Sequence, residues 1–253
     1  MGKRERYEPG TFSWVDLLTS DADGAKAFYG ELFGWEFEDS EIPGGGVYAM
    51  CHVQGDAVAA IIQQDEQPGH WNNYVTVTSA DETAAKAKQL GATVFEEAFD
   101  VMEAGRMAVF ADPSGAVLCA WQPREHIGAG LVNEPGALTM NQLNTHDPQR
   151  ASAFYEGLFG WEISQVSDEP PYWGINNKGW MNGGMMKMPD DGTPSHWLAY
   201  FVAEDADAAA RRIAELGGTV MVPPMDVPPD GRICVASDPQ GAIFALFEGR
   251  TDD

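Results

Sequence analysis

The chain has 253 residues, 44% of them hydrophobic, and a formal net charge of −24. This length suits two domains with substantial cores, and the charge would repel nucleic-acid phosphates and anionic membranes from most of the exterior. The sequence shows no apolar run of membrane-spanning or signal-peptide length. Its three widely spaced cysteines suit a reducing compartment. We therefore expect a cytoplasmic protein without nucleic-acid or membrane partners.

The main organising feature is an internal repeat. The stretch from Phe28 to Glu36 returns almost unchanged as Phe154 to Glu162, 126 residues later. The same displacement relates two His-Trp pairs, two Gly-Arg pairs and two Asp-Pro-x-Gly-Ala turns. A period of this length is too long for a solenoid, so each copy is predicted to be a domain.

The first half reads as two similar series of elements. Alternating residues predict a strand over 12–18, and helical spacing predicts a helix that Ser20 or Asp21 caps and Gly34 ends. Three strands over 35–39, 47–53 and 56–63 follow. The order then repeats as a strand over 71–77, a helix over 81–90 stopped by Gly91, and strands near 93–98, 106–111 and 116–121.

Each half is therefore predicted to be a pair of βαβββ modules, and the second half repeats the pattern after an Asp147-Pro148 helix start. The predicted fold class is α+β, with two tandem domains whose curved, mostly antiparallel sheets each surround a cavity. We place domain 1 at 8–123, a linker rich in Pro and Gly at 124–135, and domain 2 at 136–250. Each half is expected to have a core sufficient for independent folding.

Two motifs suggest a family. The chain carries A-x-x-F-Y-x-x-x-F-G-W at a helix end and D-P-x-G-A at a hairpin, once in each half. Together with four βαβββ modules, these motifs resemble the vicinal oxygen chelate superfamily of glyoxalases, extradiol dioxygenases, and fosfomycin- and bleomycin-resistance proteins. The resemblance covers nearly the whole chain and is closest to tandem glyoxalase-like proteins. Its motifs are specific for the fold and only weakly specific for the function.

The resemblance implies a metal site in which four strands supply His, Gln or Glu ligands. The equivalent positions in the first half are Trp14, Asn72, Cys119 and one of Ala59 to Ile62. In the second half they are Met140, Leu198, Ala245 and one of Gly184 to Met186. None is His or Glu, and such groups make a poor site for a hard metal ion. We predict that the protein uses no metal and no other cofactor.

Without a metal, the concave faces of the sheets are the predicted ligand sites. The ligand-binding candidates share a polar or aromatic side chain on these faces: Trp14, Tyr48, Asn72, Tyr74, Cys119, Trp121, Gln142 and Tyr200. They suit a planar organic ligand held by stacking and a few hydrogen bonds. The alternative is that these side chains fill a closed barrel.

Asp16 and His52 are the candidate catalytic residues. Asp16 beside two tryptophans would have a raised pKa, as a general acid or base requires, unless backbone donors or an exposed strand end satisfy it. His52 shares its face with Tyr48. His126 falls in the linker and receives no site role. Arg106 and Arg232 could hold a substrate anion, but ion pairing to acidic neighbours is the preferred interpretation.

Two functions remain open. One is a metal-free tailoring or detoxifying enzyme that acts on an aromatic or α-oxo compound, with Asp16 or His52 moving protons. The other is a sequestering protein whose cavity only holds its ligand. A metal-dependent glyoxalase or dioxygenase is disfavoured by the ligand positions. The partner is a small organic ligand or substrate, the first half is the predicted working site, and a homodimer is left open.

Overall fold

The computed structural model of the chain describes residues 2–42, 45–64, 69–189, 192–229 and 231–251. The strands form two eight-stranded mixed sheets, one from each half of the chain, and neither closes into a barrel. The first half contains β1 (Phe12–Thr19), α1 (Ala22–Phe33), β2 (Glu36–Glu41), β3 (Val47–Val53), β4 (Asp56–Gln63), β5 (His70–Thr76), α2 (Ala80–Gln89), β6 (Thr93–Val101), β7 (Gly105–Ala111) and β8 (Val117–Pro123).

The second half repeats this order of elements. It contains β9 (Leu138–Thr145), α3 (Pro148–Phe159), β10 (Glu162–Asp168), β11 (Pro171–Asn177), β12 (Trp180–Lys187), β13 (His196–Val202), α4 (Ala206–Glu215), β14 (Thr219–Val227), β15 (Gly231–Ser237) and β16 (Ile243–Gly249). The predicted α+β fold of four βαβββ modules is confirmed.

The modules join at the centre of each sheet. The strand order is β2-β3-β4-β1-β5-β8-β7-β6 in the first sheet and β10-β11-β12-β9-β13-β16-β15-β14 in the second. β1 pairs in parallel with β4 of its own module and antiparallel with β5 of the next. The four central strands therefore bring residues from both modules side by side.

The first helix of each half is bounded by the residues that the repeat preserves. Asp21 accepts a hydrogen bond from the Gly24 amide at 2.9 Å, and Asp147 accepts one from the Arg150 amide at 3.0 Å. These carboxylates satisfy amides that have no partner within the helix. Gly34 ends α1 in the left-handed region with φ 70°. The residue after it, Trp35, is therefore carried into the core.

The helix-packed faces of the two sheets share their cores across the halves. One cluster joins Val15, Leu17 and Phe28 of the first module to Phe201 and residues of α4, β15 and β16 in the fourth. A second cluster joins the second module to the third, with α2 packed against α3. Val15 and Leu17 thus lie on the helix-packed face, and the structure differs from the expected separate core for each half.

The repeated motifs make these crossed contacts. The Tyr29 hydroxyl donates to Asp238 Oδ2 at 3.1 Å, and the Tyr155 hydroxyl donates to Asp112 Oδ2 at 2.9 Å. The Trp35 indole also donates to the Gly136 carbonyl oxygen at 2.8 Å. Each helix-end motif thus contacts the other half of the chain. Apolar periodicity in the sequence shows that the motif is buried but does not identify the half that it contacts.

The chain segments flanking the first sheet are also packed. Lys3 and Leu131 form an isolated antiparallel bridge, and the Arg4 amide donates to the Gly130 carbonyl oxygen at 2.9 Å. The Tyr7 hydroxyl donates to the Ala129 carbonyl oxygen at 2.7 Å. The stretch predicted to be a linker therefore lies against the N-terminal segment. In the part of the chain that the structure describes, every helix is too short or too polar to cross a bilayer.

Separated halves test the crossed cores. Expressed alone, residues 1–135 and 136–253 should each lack tertiary structure or aggregate, because each exposes the apolar face that the other covers. Mixed, they should assemble and regain one cooperative thermal transition. Near-ultraviolet circular dichroism and calorimetry measure both outcomes.

The matched control is the full chain with a protease site inserted after Glu134 and cut after folding, which should stay assembled. Two separated halves that each fold cooperatively as monomers would contradict the shared cores.

Candidate functional site

The helix-free face of the first sheet, which carries Trp14, Asp16, Tyr74 and Trp121, holds a buried carboxylate. Asp16 on β1 is 2% exposed. Its Oδ1 accepts a hydrogen bond from Asn72 Nδ2 at 2.9 Å, and its Oδ2 accepts one from the Tyr74 hydroxyl at 2.7 Å. Both donors lie on β5, where Asn72 is directly opposite Asp16. The sheet register therefore fixes this group of three side chains, called here the Asp16 cluster.

The environment of Asp16 changes its acidity. Burial raises the pKa of its carboxyl from 3.8 to about 6, against the opposing effect of the Tyr74 and Asn72 hydrogen bonds. Burial, together with the nearby Asp16 charge, also raises the pKa of Tyr74 well above its ordinary value. Tyr74 thus keeps its proton near neutral pH, while Asp16 can gain or lose one there.

Cys119 lies on the neighbouring strand β8, level with Tyr74. Burial and the nearby Asp16 carboxylate both raise the pKa of its thiol, which is 1% exposed. A thiol that stays protonated is a poor nucleophile. Cys119 therefore contributes packing to this face and is not a nucleophile.

Aromatic side chains pack beside the Asp16 cluster. The Trp14 indole donates to the Tyr48 hydroxyl at 3.0 Å, and the Trp121 indole donates to the His126 carbonyl oxygen at 2.9 Å. The rings of Trp14 and His126 meet edge to face, with centroids 4.5 Å apart. Trp14, Tyr48, Trp121 and His126 form what we call the aromatic layer. With Trp14 3% and Trp121 5% exposed, side chains rather than solvent fill this face.

His126 is a site residue that the sequence interpretation missed. Burial lowers the pKa of its imidazole to about 4, so the ring is neutral near pH 7. Its buried Nε2 has no hydrogen-bond partner among the described residues. The one signal in the sequence for this position of His126 is Gly128, two residues later. A Cβ at Gly128 would lie 2.4 Å from the Ser13 carbonyl oxygen, so glycine lets this segment lie against β1.

His52 is not joined to the Asp16 cluster. It lies on β3, opposite Glu36 of β2 and Ala57 of β4. Asp16 instead pairs with Ala60 of β4, and Ala60 pairs with Met50 of β3. Within the described ranges, His52 makes no hydrogen bond to Asp16 or its partners. The structure therefore does not bring the two candidate catalytic groups into contact, and a catalytic role for His52 stays a prediction.

The helix-free face of the second sheet carries neutral polar groups in place of the carboxylate. Gln142 accepts a hydrogen bond from the Tyr200 hydroxyl at 3.2 Å and donates to Asn144 Oδ1 at 2.8 Å. Asn144 Nδ2 lies 3.1 Å from His196 Nε2. Leu198, at the position of Asn72, is buried without a polar group. This row can orient a ligand, but Gln142 cannot replace Asp16 in proton transfer.

The residues on the central strands do not fit the metal site that the resemblance implies. On the helix-free face of the first sheet these strands offer Asp16, Ala60, Asn72 and Cys119, which include one carboxylate and one amide. Octahedral sites for Mn or Fe use several carboxylate or imidazole donors. Across the described ranges, no three His, Cys, Asp or Glu side chains are grouped closely enough to hold an ion.

The two repeated arginines are committed to ion pairs. Arg106 Nε lies 2.7 Å from Asp81 Oδ2, and its Nη1 lies 3.0 Å from Asp100 Oδ1. Arg232 pairs with Asp207 and, at 3.0 Å, with Asp226. The preferred interpretation from the sequence, acidic partners rather than a substrate anion, is confirmed.

Comparisons with known proteins agree with this architecture. The Glyoxalase-like domain family matches residues 14–121, and the Glyoxalase/Bleomycin resistance protein/Dioxygenase superfamily matches residues 137–246. A relative from Mycobacterium tuberculosis named "Putative glyoxylase CFP32" is 43% identical over 98% of both chains. The anthracycline biosynthesis protein DauV of Streptomyces sp. is 32% identical over 97% of this chain and 95% of its own.

Solved structures show the same fold. The 2,3-dioxygenase LapB from Pseudomonas sp. KL28 superposes with a TM-score of 0.69 at 16% identity, over 98% of this chain and 96% of its own. The Mn(II)-bound glyoxalase from Novosphingobium aromaticivorans gives 0.67 at 16% identity, over 100% of this chain and 85% of its own. With family matches in both halves and full-length relatives above 30% identity, the chain belongs to the glyoxalase/bleomycin resistance protein/dioxygenase superfamily.

Proposed function

We propose that this protein is a metal-independent enzyme that binds an aromatic or α-oxo compound on the helix-free face of the first sheet. Asp16 would act there as the general acid or base. The observation that carries the proposal is a buried carboxyl with a pKa of about 6, held by Tyr74 and Asn72. A group that titrates near neutral pH can both take up and release a proton during turnover.

Asp16 and Tyr74 would have different roles in the proposed reaction. Above pH 6, Asp16 is mostly ionised and accepts a proton from an acidic C–H or phenolic O–H of the bound compound. Tyr74 keeps its proton, so its hydroxyl remains a donor that can stabilise the same carboxylate or a substrate oxygen. Because Asp16 is 2% exposed, the aromatic layer must shift to admit a substrate. Closing again would exclude water from the proton transfer.

The aromatic layer and the names of two relatives support the proposed substrate class. Trp14, Tyr48 and Trp121 offer aromatic rings against which a planar molecule can stack. One relative carries a name in anthracycline biosynthesis, and anthracyclines contain fused aromatic rings. Another is named as a glyoxylase, which suggests an α-oxo compound. Both classes present a polarised oxygen beside a removable proton.

A sequestering protein is the second candidate function. The observation that favours it is the dense aromatic packing beside Asp16, which suits holding a planar ligand without reacting with it. In that case Asp16 would only orient the ligand through hydrogen bonds. Measurements that separate affinity from turnover distinguish the two functions.

A cytoplasmic location is proposed on the three free, buried cysteines, which suit a reducing compartment. We also keep the domain boundaries at 8–123 and 136–250 as a proposal. A homodimer remains a prediction.

Metal content tests the proposed independence from a cofactor. Purified protein should contain no stoichiometric Fe, Mn, Ni or Zn by elemental analysis, because the donors on the helix-free faces do not fit such ions. Treatment with EDTA should leave the melting temperature unchanged. About one transition metal per sheet, lost when residues of the helix-free face are changed, would show that the site has been misassigned.

Ligand binding can be followed with 1,8-dihydroxyanthraquinone as the probe. It should quench tryptophan fluorescence saturably, and Trp14→Phe should weaken its binding about tenfold by removing a stacking surface and the Tyr48 hydrogen bond. The matched control is Trp173→Phe, which changes a half-buried indole of the second half, outside the first sheet, and should leave the affinity within about twofold. The reverse pattern would place binding elsewhere.

Asp16→Asn separates the enzyme from the sequestering protein. The variant keeps the shape and one acceptor, so probe affinity should stay within about tenfold while turnover falls about a hundredfold. Turnover would be measured on whichever hydroxyanthraquinone or α-oxo aldehyde of a test panel the wild type consumes, and it should rise as pH passes 6.

The control is Asp23→Asn, the same chemical change at an exposed position, which should alter neither the probe affinity nor the turnover. A wild type that binds the probe but consumes no member of the panel would instead support sequestration.

A further inference from the structure

A cleft lies between the N-terminal segment and the turn that joins β11 to β12, apart from the Asp16 cluster. Its volume is about 830 Å³. The side chains that matter here are Arg4, Arg6, Tyr7, Lys178, Trp180 and Met181. None of the residues of the Asp16 cluster or the aromatic layer lines it. This cleft is therefore a separate space from the site described above.

The turn side of the cleft is held rigidly. Lys178 and Gly179 have φ of 53° and 84°, the left-handed pair that a two-residue hairpin requires. Buried Asn177 donates to the Pro9 carbonyl oxygen at 3.1 Å. Buried Asn182 donates to the Gly10 carbonyl oxygen at 2.9 Å and accepts from the Phe12 amide at 3.1 Å. These bonds tie the turn to the N-terminal segment, so the cleft is formed in advance of any ligand.

The charge of the cleft is opposite to that of the protein. Three cationic side chains, Arg4, Arg6 and Lys178, line it with one carboxylate, Glu8, in a chain of net charge −24. Lys178 and Glu8 form an exposed pair at 3.1 Å, which water screens strongly. Among the described residues, no carboxylate lies within ion-pair distance of Arg4 or Arg6. Arg4 Nη1 donates to the Lys3 carbonyl oxygen at 3.2 Å, and the other N–H groups of Arg4 and those of Arg6 are available to an anion.

The wall of the cleft also exposes a large apolar surface. Trp180 is 72% exposed and its neighbour Met181 is 67% exposed. Covering an exposed indole with a planar ring removes apolar surface from water and lowers the free energy. Exposed aromatic surface beside a cavity is typical of a binding site. The rigid hairpin holds this indole at the cleft, where a flexible loop would not.

We propose that this cleft binds an aromatic carboxylate, with the ring against Trp180 and the carboxylate on Arg4 and Arg6. A guanidinium group presents parallel N–H donors that match the two oxygens of a carboxylate. The surrounding negative charge of the chain would otherwise repel such a ligand, so binding depends on these local cations. The proposal is independent of the reaction at Asp16, because no residue of the Asp16 cluster or the aromatic layer lines this cleft.

Isothermal titration calorimetry of the full chain tests this site with 2-naphthoate and its neutral counterpart 2-naphthamide. The naphthoate should bind at least about tenfold more tightly, and its affinity should fall as salt is added. The double variant R4Q/R6Q should lose about tenfold in affinity for naphthoate, and Trp180→Ala should lose about fivefold.

Two controls keep the test specific. The double variant R150Q/R211Q removes the same charge at exposed positions outside the cleft, and Asp16→Asn changes the other site. Both should leave naphthoate affinity within about twofold. Equal affinity for naphthoate and naphthamide, absence of naphthoate binding, or equal losses in R4Q/R6Q and R150Q/R211Q would each overturn the proposal.

Discussion

The structure depends on two buried Tyr–Asp hydrogen bonds that cross between the halves. Asp238 accepts the Gln240 and Ala242 amides with Oδ1 and the Tyr29 hydroxyl with Oδ2. Asp112 does the same for its own turn and for Tyr155. Each carboxylate thus fixes a hairpin and joins the two halves. Because buried hydrogen bonds to a carboxylate are costly to break, this crossing holds the helix-packed faces together.

The two halves differ on their helix-free faces, where we propose that the function lies. The repeat keeps the crossing motifs, but Gln142 stands at the position of Asp16 and Leu198 at that of Asn72. The first sheet therefore has the titratable group, whereas the second has a neutral row. The cleft beside Trp180 also depends on a difference between the halves. The first-half turn at Gln54 and Gly55 is followed by Asp56, whereas the second-half turn at Lys178 and Gly179 is followed by Trp180. A duplicated scaffold can in this way carry two unlike sites.

The sequence predicted local structure and faces well, since periodicity and caps act over a few residues. Strand β3, the helix end at Gly34 and the ion pairs of Arg106 followed from such signals. The crossed cores did not, because an apolar stripe shows that a face is buried and not what covers it. His126 was missed for a similar reason: its ring reaches Trp14 only through the path of the segment after β8. The face itself was predicted, but not its dense packing.

Asp16 carries the functional proposal, so its own titration is the most direct measurement. In protein labelled with ¹³C at aspartate side chains, the Asp16 carboxyl resonance can be assigned by its loss in Asp16→Asn and followed between pH 4.5 and 8. Desolvation that outweighs the Tyr74 and Asn72 hydrogen bonds predicts a midpoint near pH 6. A carboxyl already ionised throughout this range, with a midpoint below about 4 as for an exposed aspartate, would contradict the proposed acid–base role.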